Sequence, residues 1–249
     1  MKRLTVFIVV SLLLSFIAVP SNAAVFDKVI SRWTKERRFE SREGANLTVS
    51  ATYYGAEYIE AYIQSEAQKN LWTENETEDF KFNFLSALQL DEMIPVNIKF
   101  VNNGPRMHLG PFDAMISLVV GNQTYKPADY DRRFNFSFQG DKEGLVYFRR
   151  FDEKSGKDIL KGVKSVKINL KTAISPVLDG KEVTFIFDVA NDDPAKLYQG
   201  KSAARFETDR LLKRLEKLRK DKAEHEKQLQ GINDEIATVQ KRLDELAKQ

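Results

Sequence analysis

The chain has 249 residues, of which 39 are Lys or Arg and 36 are Asp or Glu, giving a formal net charge of +3. This length allows one good-sized domain or two small ones. Hydrophobic residues at 42% and aromatic residues at 11% suffice for a buried core, which excludes a wholly disordered protein. The sequence contains no cysteine, and this excludes disulfide scaffolds, zinc fingers and thiol chemistry.

Residues 1–23 are predicted to be a secretory signal peptide. Lys2 and Arg3 form the positive start, residues 6–19 are apolar apart from two serines, and the small residues of Ser21–Ala23 fit a cleavage site. A retained anchor is the less favoured alternative, because about 14 apolar residues fall short of the roughly 20 that a membrane span needs. Cleavage would leave no transmembrane segment.

Removing Lys2 and Arg3 leaves 37 basic residues against 36 acidic ones. A nearly neutral protein gives no general case for binding nucleic acid. An exported chain without cysteine fits a bacterial envelope better than a eukaryotic secretory pathway, where disulfides are common. We therefore expect export to the bacterial periplasm or cell envelope, with an extracellular location as the alternative.

Residues 24–92 are predicted to form a mixed α/β region that packs on the domain after it. Hydrophobic periodicity indicates a short solvated helix within 25–44, a strand at 46–54 and a helix that follows that strand. A further helix begins after Thr73, because Thr73 and Glu76 have the spacing of a capping box.

Residues 93–192 are predicted to form an immunoglobulin-like β-sandwich, so the fold class is mainly β with α. Seven short strands at regular spacing over about 95 residues are typical of such a sandwich, and Gly121-Asn122 closes a tight hairpin. Turn residues at 103–105, 110–111 and 140–144 separate the predicted strands. In strand rhythm the region resembles immunoglobulin-like modules of bacterial envelope proteins, a resemblance that implies no activity.

A predicted hairpin between residues 132–138 and 145–151 places Arg133 directly opposite Arg150. Like charges at such positions are destabilising unless something neutralises them. A nearby aspartate is the favoured neutralising group, and the alternative is an anionic ligand or an acidic partner surface held between the two guanidinium groups. The residues of this possible anion or partner site are Tyr130, Arg133, Tyr147 and Arg150.

Recognisable catalytic, cofactor and metal motifs are missing from the sequence. The two histidines, His108 and His225, are far apart in sequence, so histidine-based metal sites and triads have little material. The aspartates at 129–131 and 191–193 favour capping of loops over calcium binding. A hydrolase with paired carboxylates is the least favoured hypothesis, because no pattern supports it. We expect no enzyme activity, no cofactor and no metal.

Residues 205–249 follow a linker at 193–204 and carry the clearest pattern in the chain. Apolar residues recur at alternating spacings of four and three over five heptads, which predicts a coiled coil in one continuous helix of roughly 65–70 Å. The predicted seam residues are Leu211, Leu215, Leu218, Lys222, His225, Leu229, Ile232, Ile236, Val239, Leu243 and Leu246. Lys222 and His225 interrupt the apolar seam at its centre, where a polar layer can fix register or partner.

Charges beside the seam bear on the partner. In a parallel homodimer Arg214 would meet Arg219 and Asp221 would meet Glu226, and both pairs repel. Antiparallel pairing, a different partner, and docking back on the sandwich remain open. The favoured function is an exported non-catalytic envelope protein that binds a protein partner or itself through the coiled coil. The alternative is a binding module for an anionic envelope ligand at the arginine hairpin.

Overall fold

A computed structural model describes residues 22–200 and 203–247. Nearly all of the predicted signal peptide lies outside the described residues. The helices are α1 (Asn22–Trp33), α2 (Ala56–Lys69), α3 (Glu74–Leu88) and α4 (Ala203–Leu246). The strands are β1 (Thr34–Glu40), β2 (Asn46–Tyr53), β3 (Met93–Met107), β4 (Ile116–Val120), β5 (Gln123–Tyr125), β6 (Asp129–Tyr130), β7 (Phe138–Arg149), β8 (Ser165–Leu170) and β9 (Val183–Asp188). Within the described residues, none of the helices combines the length and the apolar character needed to cross a bilayer.

The strands of the described residues form two antiparallel sheets. The first sheet has the order β1-β2-β3-β7-β6, and the second has the order β5-β4-β8-β9. The chain changes sheet after β3, after β5 and after β7. Because β1 and β2 are hydrogen-bonded into the sheet of β3, this sheet includes residues that lie before position 93. The predicted mixture of β and α is confirmed as two antiparallel sheets with a long C-terminal helix.

Each sheet buries one face in a common core. In β2, alternate residues such as Leu47 and Val49 are fully buried, as expected where one face of a strand packs inward. In β8 the same alternation buries Val166 and Ile168. The rings of Tyr53 in the first sheet and Phe187 in the second lie 5.7 Å apart between centroids. The buried residues of both sheets form one cluster, against which the helices pack.

The start of α3 is capped as the sequence predicts. The Thr73 hydroxyl accepts a hydrogen bond from the Glu76 backbone N–H at 3.3 Å, and the Glu76 carboxylate accepts one from the Thr73 N–H at 2.7 Å. Hydrogen bonds from Thr73 lower the pKa of Glu76, because they stabilise the ionised carboxylate. The tight β4–β5 hairpin is also confirmed, with Val120 opposite Gln123.

The short helix predicted within 25–44 is found as α1, and the strand that follows it was not predicted. Helix α1 ends at Trp33, and β1 begins at Thr34 and pairs with β2 in register from Thr34 opposite Thr52. β1 lies at the edge of its sheet, where charged side chains are tolerated because one flank faces solvent. Because β1 consists mostly of Lys, Glu and Arg residues, it lacks the hydrophobic alternation by which a strand is predicted from sequence.

Two predicted loops are wrong because long strands pass through them. β3 continues past Asn103-Gly104-Pro105, where the buried Asn102 amide accepts from the Gly104 N–H at 3.0 Å and donates to the Pro105 carbonyl at 2.8 Å. The register of β3 against β7 shifts between Asn102 and Met107. The Asn102 side chain satisfies backbone groups that this shift removes from the hydrogen-bonded ladder. The predicted loop at 140–144 lies inside β7. A Cβ at Gly144 would approach the Asp131 side chain to 2.7 Å, so this glycine permits a close approach of chains and does not mark a turn.

Candidate interaction helix

Helix α4 is anchored to the body of the protein by an aromatic contact near its start. The Phe206 ring is 8% exposed and lies edge-on to Tyr198 at 5.1 Å and tilted against Phe82 at 4.9 Å. Tyr198 ends the short 3₁₀ helix before α4, and Phe82 belongs to α3. The anchor therefore joins three segments that are distant in sequence.

Arg205 adds a second contact beside this ring. Its guanidinium lies over the Phe82 ring at 3.9 Å and pairs with the Asp79 carboxylate at 2.5 Å. Both charged side chains are more than half exposed, so the ion pair contributes little in water. The buried Phe206 ring is the main contribution to the anchor.

An open groove of about 1220 Å³ separates the first turns of α4 from the body. The α4 side includes Arg210, Arg214 and Lys217, and the body side includes Asp91 and Glu92. The α4 side also carries Glu207, Asp209 and Asp221, so its wall has charges of both signs, whereas the body wall is acidic at Asp91 and Glu92. The groove shows that the body does not cover this part of the helix tightly.

The apolar residues of the predicted seam lie exposed along α4. Their exposed fractions run from 43% at Leu215 to 61% at Leu243, whereas core aliphatic residues such as Leu47 are fully buried. The exposed members are Leu211, Leu215, Leu218, Leu229, Ile232, Ile236, Val239, Leu243 and Leu246. An apolar stripe of this length, unburied by the described residues of its own chain, is typical of an interaction surface.

The anchor and the seam lie on opposite faces of α4. Each residue of an α-helix turns the chain by about 100°, so Leu211 and Leu215 lie roughly 140° and 180° around the helix from Phe206. Ala204 and Thr208, each two residues from Phe206, continue the seam toward the start of the helix and are exposed. Docking of α4 on its own body therefore leaves the seam accessible.

Lys222 and His225 form a polar step at the centre of the seam, and both make their contacts within α4. The Lys222 ammonium lies 3.5 Å from the Glu226 carboxylate, and the His225 Nδ1 lies 3.4 Å from the side-chain oxygen of Gln228. All of these side chains are exposed. The helix is continuous through this step and through Gly231, which confirms the predicted single helix.

The predicted arginine hairpin is wrong. Residues Arg132–Asn135 form a 3₁₀ helix capped by Asp131, and β7 pairs with β3 and β6. Phe134 is fully buried whereas Phe136 is 69% exposed, so the phenylalanine alternation here does not belong to one strand face. A 3₁₀ helix has three residues per turn, so residues two apart do not lie on the same side as they do in a strand. Alternating phenylalanines therefore led to a wrong strand prediction here.

The structure spreads the four residues assigned to that site along β7 and does not bring them to one point. Tyr130 and Tyr147 lie on the neighbouring strands β6 and β7, and Arg133 donates to the carbonyl of Glu143 in β7. Arg150 lies seven residues further along, roughly 20 Å at the rise of a strand. The two guanidinium groups therefore do not face each other.

Each arginine has a carboxylate of its own. Arg133 donates from Nε to Asp131 at 2.9 Å, and Arg150 donates from Nε to Asp158 at 2.9 Å. The Arg133 guanidinium lowers the pKa of Asp131, because it favours the ionised form. The internal neutralisation considered from the sequence is thus realised, with Asp158 as a partner that sequence reasoning missed.

The two aspartate-rich segments cap backbone, as predicted. Asp131 accepts from the Arg133 N–H at 2.9 Å and Asp193 accepts from the Ala195 N–H at 3.2 Å. Asp192 accepts from the Ala56 N–H at the start of α2, at 2.6 Å. No cluster of three metal-ligating side chains occurs within residues 22–200 and 203–247.

Comparison with known proteins adds little. No protein-family model matches the sequence, and no curated protein matches it. A solved structure of a protein of unknown function from Burkholderia pseudomallei is similar at 9% sequence identity, over 67% of this chain and 83% of that chain, with a TM-score of 0.38.

Proposed function

We propose that this is an exported, non-catalytic protein of the bacterial envelope that presents helix α4 as one strand of a coiled coil. The observation that carries the proposal is the exposed apolar seam on a helix of 44 residues. Export is supported by the signal-peptide pattern of residues 1–23. The function is to bind a protein partner, or a second copy of the chain, through that seam.

The body would be an immunoglobulin-like sandwich that acts as a scaffold. In such a fold one sheet has strands in the order A-B-E-D and the other carries C, F and G. The order β2-β3-β7-β6 matches the first set, and β5-β4-β8-β9 matches C, F and G with an additional edge strand. This correspondence supports the proposal and leaves β1 as an extra strand at the edge beside β2.

The seam can supply enough free energy for association. Fully burying one Leu or Ile side chain contributes about 1.5–3 kcal/mol, and these residues are roughly half exposed, so each would contribute on the order of 1 kcal/mol. Nine such residues outweigh the weak exposed ion pairs beside them. Binding should therefore depend on the seam more than on charge.

The test is the mass in solution and the partner retention of the mature chain carrying Leu229→Asp and Ile232→Asp. Both substitutions place a charge in the seam, so we expect association to be lost. The matched control carries Gln230→Asp and Ala237→Asp, which add the same charge outside the seam. The control should associate like the wild type.

The proposal is wrong if the seam variant and the control behave alike. A self-association, or an identified partner retained from the native envelope, that survives both pairs of substitutions would show that the seam is not the binding surface. Circular dichroism checks that α4 remains helical in both variants.

A further inference from the structure

We propose that the seam of α4 is occupied by a second copy of this chain, running antiparallel, with Lys222 of each copy facing His225 of the other. This inference rests on the proposed function and specifies the partner, its direction and its register. Three features of α4 support it: the position of the polar step, the charges beside the seam, and the face on which the helix is anchored.

The polar step fixes the centre of the pairing. In an antiparallel coiled coil, a positions of one helix face d positions of the other. Lys222 is at an a position and His225 at a d position, so each can face the other residue of the second copy, in two adjacent layers related by the twofold axis. Both interrupting side chains are then confined to the middle of the interface. The layers outward from this centre pair Leu218 with Leu229, Leu215 with Ile232, and Leu211 with Ile236, and then Thr208 with Val239 and Ala204 with Leu243.

This register makes the flanking charges complementary. Positions that flank the seam on the two helices then lie within two residues of one another along the axis, or about 3 Å. The facing charged pairs are Arg219 with Glu226, Arg214 with Glu235, and Glu207 with Arg242, each formed twice by symmetry. Glu226 and Arg242 also pair within α4, with Lys222 and Glu245, and their exposed side chains can reach either partner.

Other arrangements place like charges together. A parallel dimer brings Arg214 beside Arg219, and Asp221 beside Glu226. An antiparallel register shifted by one heptad in one direction brings Arg214 beside Arg242, and the shift in the other direction brings Asp221 beside its own copy. Like-charged neighbours are unfavourable, so the charges select the centred antiparallel register.

The body does not obstruct this pairing. Phe206 anchors α4 on the face opposite the seam, and Ala204 is exposed, so the end of the second helix can pack beside the start of the first. The two bodies then lie at opposite ends of the paired helices. A parallel dimer would instead place both bodies at the same end.

The absence of cysteine makes the direction measurable with a single spin label. We would label the mature chain carrying Lys241→Cys, outside the seam, and measure the distance between the two labels. In the proposed register the two Cα atoms are about 50 Å apart, and a shift of one heptad toward the C terminus gives roughly 40 Å. A parallel pair places the two Cα atoms at most about 15 Å apart, and the labels that extend outward from them about 20 Å apart, because the helix axes lie only 8–10 Å apart.

Charge exchange tests the register independently. Arg214→Glu and Glu235→Arg should each raise the dissociation constant of the dimer about tenfold, because two attractive pairs become repulsive. The chain carrying both substitutions should return to within about threefold of the wild type. Mixing the two single variants should also restore association, since the unlike chains regain both pairs.

Each result decides between the hypotheses. A distance near 50 Å, with rescue by the double variant, supports the proposal. A distance near 20 Å, or additive losses in the double variant, overturns it while leaving the coiled-coil function standing. A chain that stays monomeric overturns self-pairing alone if an identified partner still requires Leu229 and Ile232, and overturns the proposed function as well if none does.

Discussion

Asp192 joins the end of the body to a helix that begins far earlier in the chain. Gly55 occupies the N-cap of α2 and has no side chain with which to cap it. The Asp192 carboxylate takes that role, accepting from the Ala56 N–H at 2.6 Å and from the Tyr53 hydroxyl at 3.3 Å. A Cβ at Gly55 would lie 3.1 Å from the same carboxylate, so the small residue permits this cap. We predict that Asp192→Ala destabilises the protein.

The magnitude follows from the groups left without a partner. Loss of an N-cap costs about 1 kcal/mol, and an unsatisfied buried hydroxyl costs about 1–3 kcal/mol. Tyr53 is 2% exposed, but Asp192 lines an open groove of about 780 Å³ from which water can replace part of the lost bonding. We expect a loss of about 2 kcal/mol in the free energy of unfolding, or roughly 4–8 °C in Tm.

Asp192→Asn separates capping from charge. Asparagine keeps an acceptor for the Ala56 N–H, so this variant should retain most of the stability at neutral pH. Burial raises the pKa of Asp192 above its ordinary value, since it disfavours the charged form. The folded chain then binds this proton more tightly than the unfolded chain, and the wild type loses stability as pH rises from about 3.9 through the raised pKa.

The stability of Asp192→Asn relative to the wild type should therefore increase across that pH window. The assay is urea unfolding followed by circular dichroism from pH 3.5 to pH 7, roughly the range that brackets the ordinary aspartate pKa. Two results would refute the reasoning: Asp192→Ala within about 0.5 kcal/mol of the wild type, the ordinary range for inert surface sites, or a relative stability of Asp192→Asn that falls as pH rises.

Two further predictions concern the anchor and the arginine pairs. Phe206→Ala should cost roughly 2 kcal/mol, less than the ~3–5 of a fully enclosed ring, and hydrogen exchange should accelerate in the first turns of α4; Phe136→Ala, at an exposed ring, should change neither. Asp158→Ala should destabilise by about 1–2 kcal/mol, below the ~3–5 for a fully buried pair, because it leaves the 16% exposed Arg150 side chain without its carboxylate. An unfolding curve for Asp158→Ala that superimposes on the wild type would contradict this.

Structural features that depend on residues close together in sequence could be predicted from the sequence. The capping box of Thr73 and Glu76 and the β4–β5 turn at Gly121-Asn122 both depend on residues within a few positions of each other, and both are confirmed. The single helix of α4 follows from its unbroken periodicity in the same way. The coiled coil that the same pattern predicts stays a prediction.

Elements that depend on distant neighbours could not be predicted in this way. β1 is a strand because β2 supplies its hydrogen bonds, and its charged sequence carries no alternation. Gly144 lies inside β7 because it pairs with Ile98 of β3, and the close approach of Asp131 requires a glycine there; turn statistics contain neither contact. In α4 the apolar periodicity could be located from the sequence, whereas the anchor at Phe206 depends on Phe82 and Tyr198.

The anchor at one end of α4 also determines how the helix samples space. Helix α4 continues for about 40 residues beyond Phe206, so it is a lever roughly 60 Å long. A tilt of about 5° at the anchor displaces the far tip by about 5 Å, several times the motion of the anchored turn. Small rotations at this aromatic contact therefore widen the volume that the tip of α4 samples. If α4 pairs as we propose, contact made at the tip would extend along the seam turn by turn.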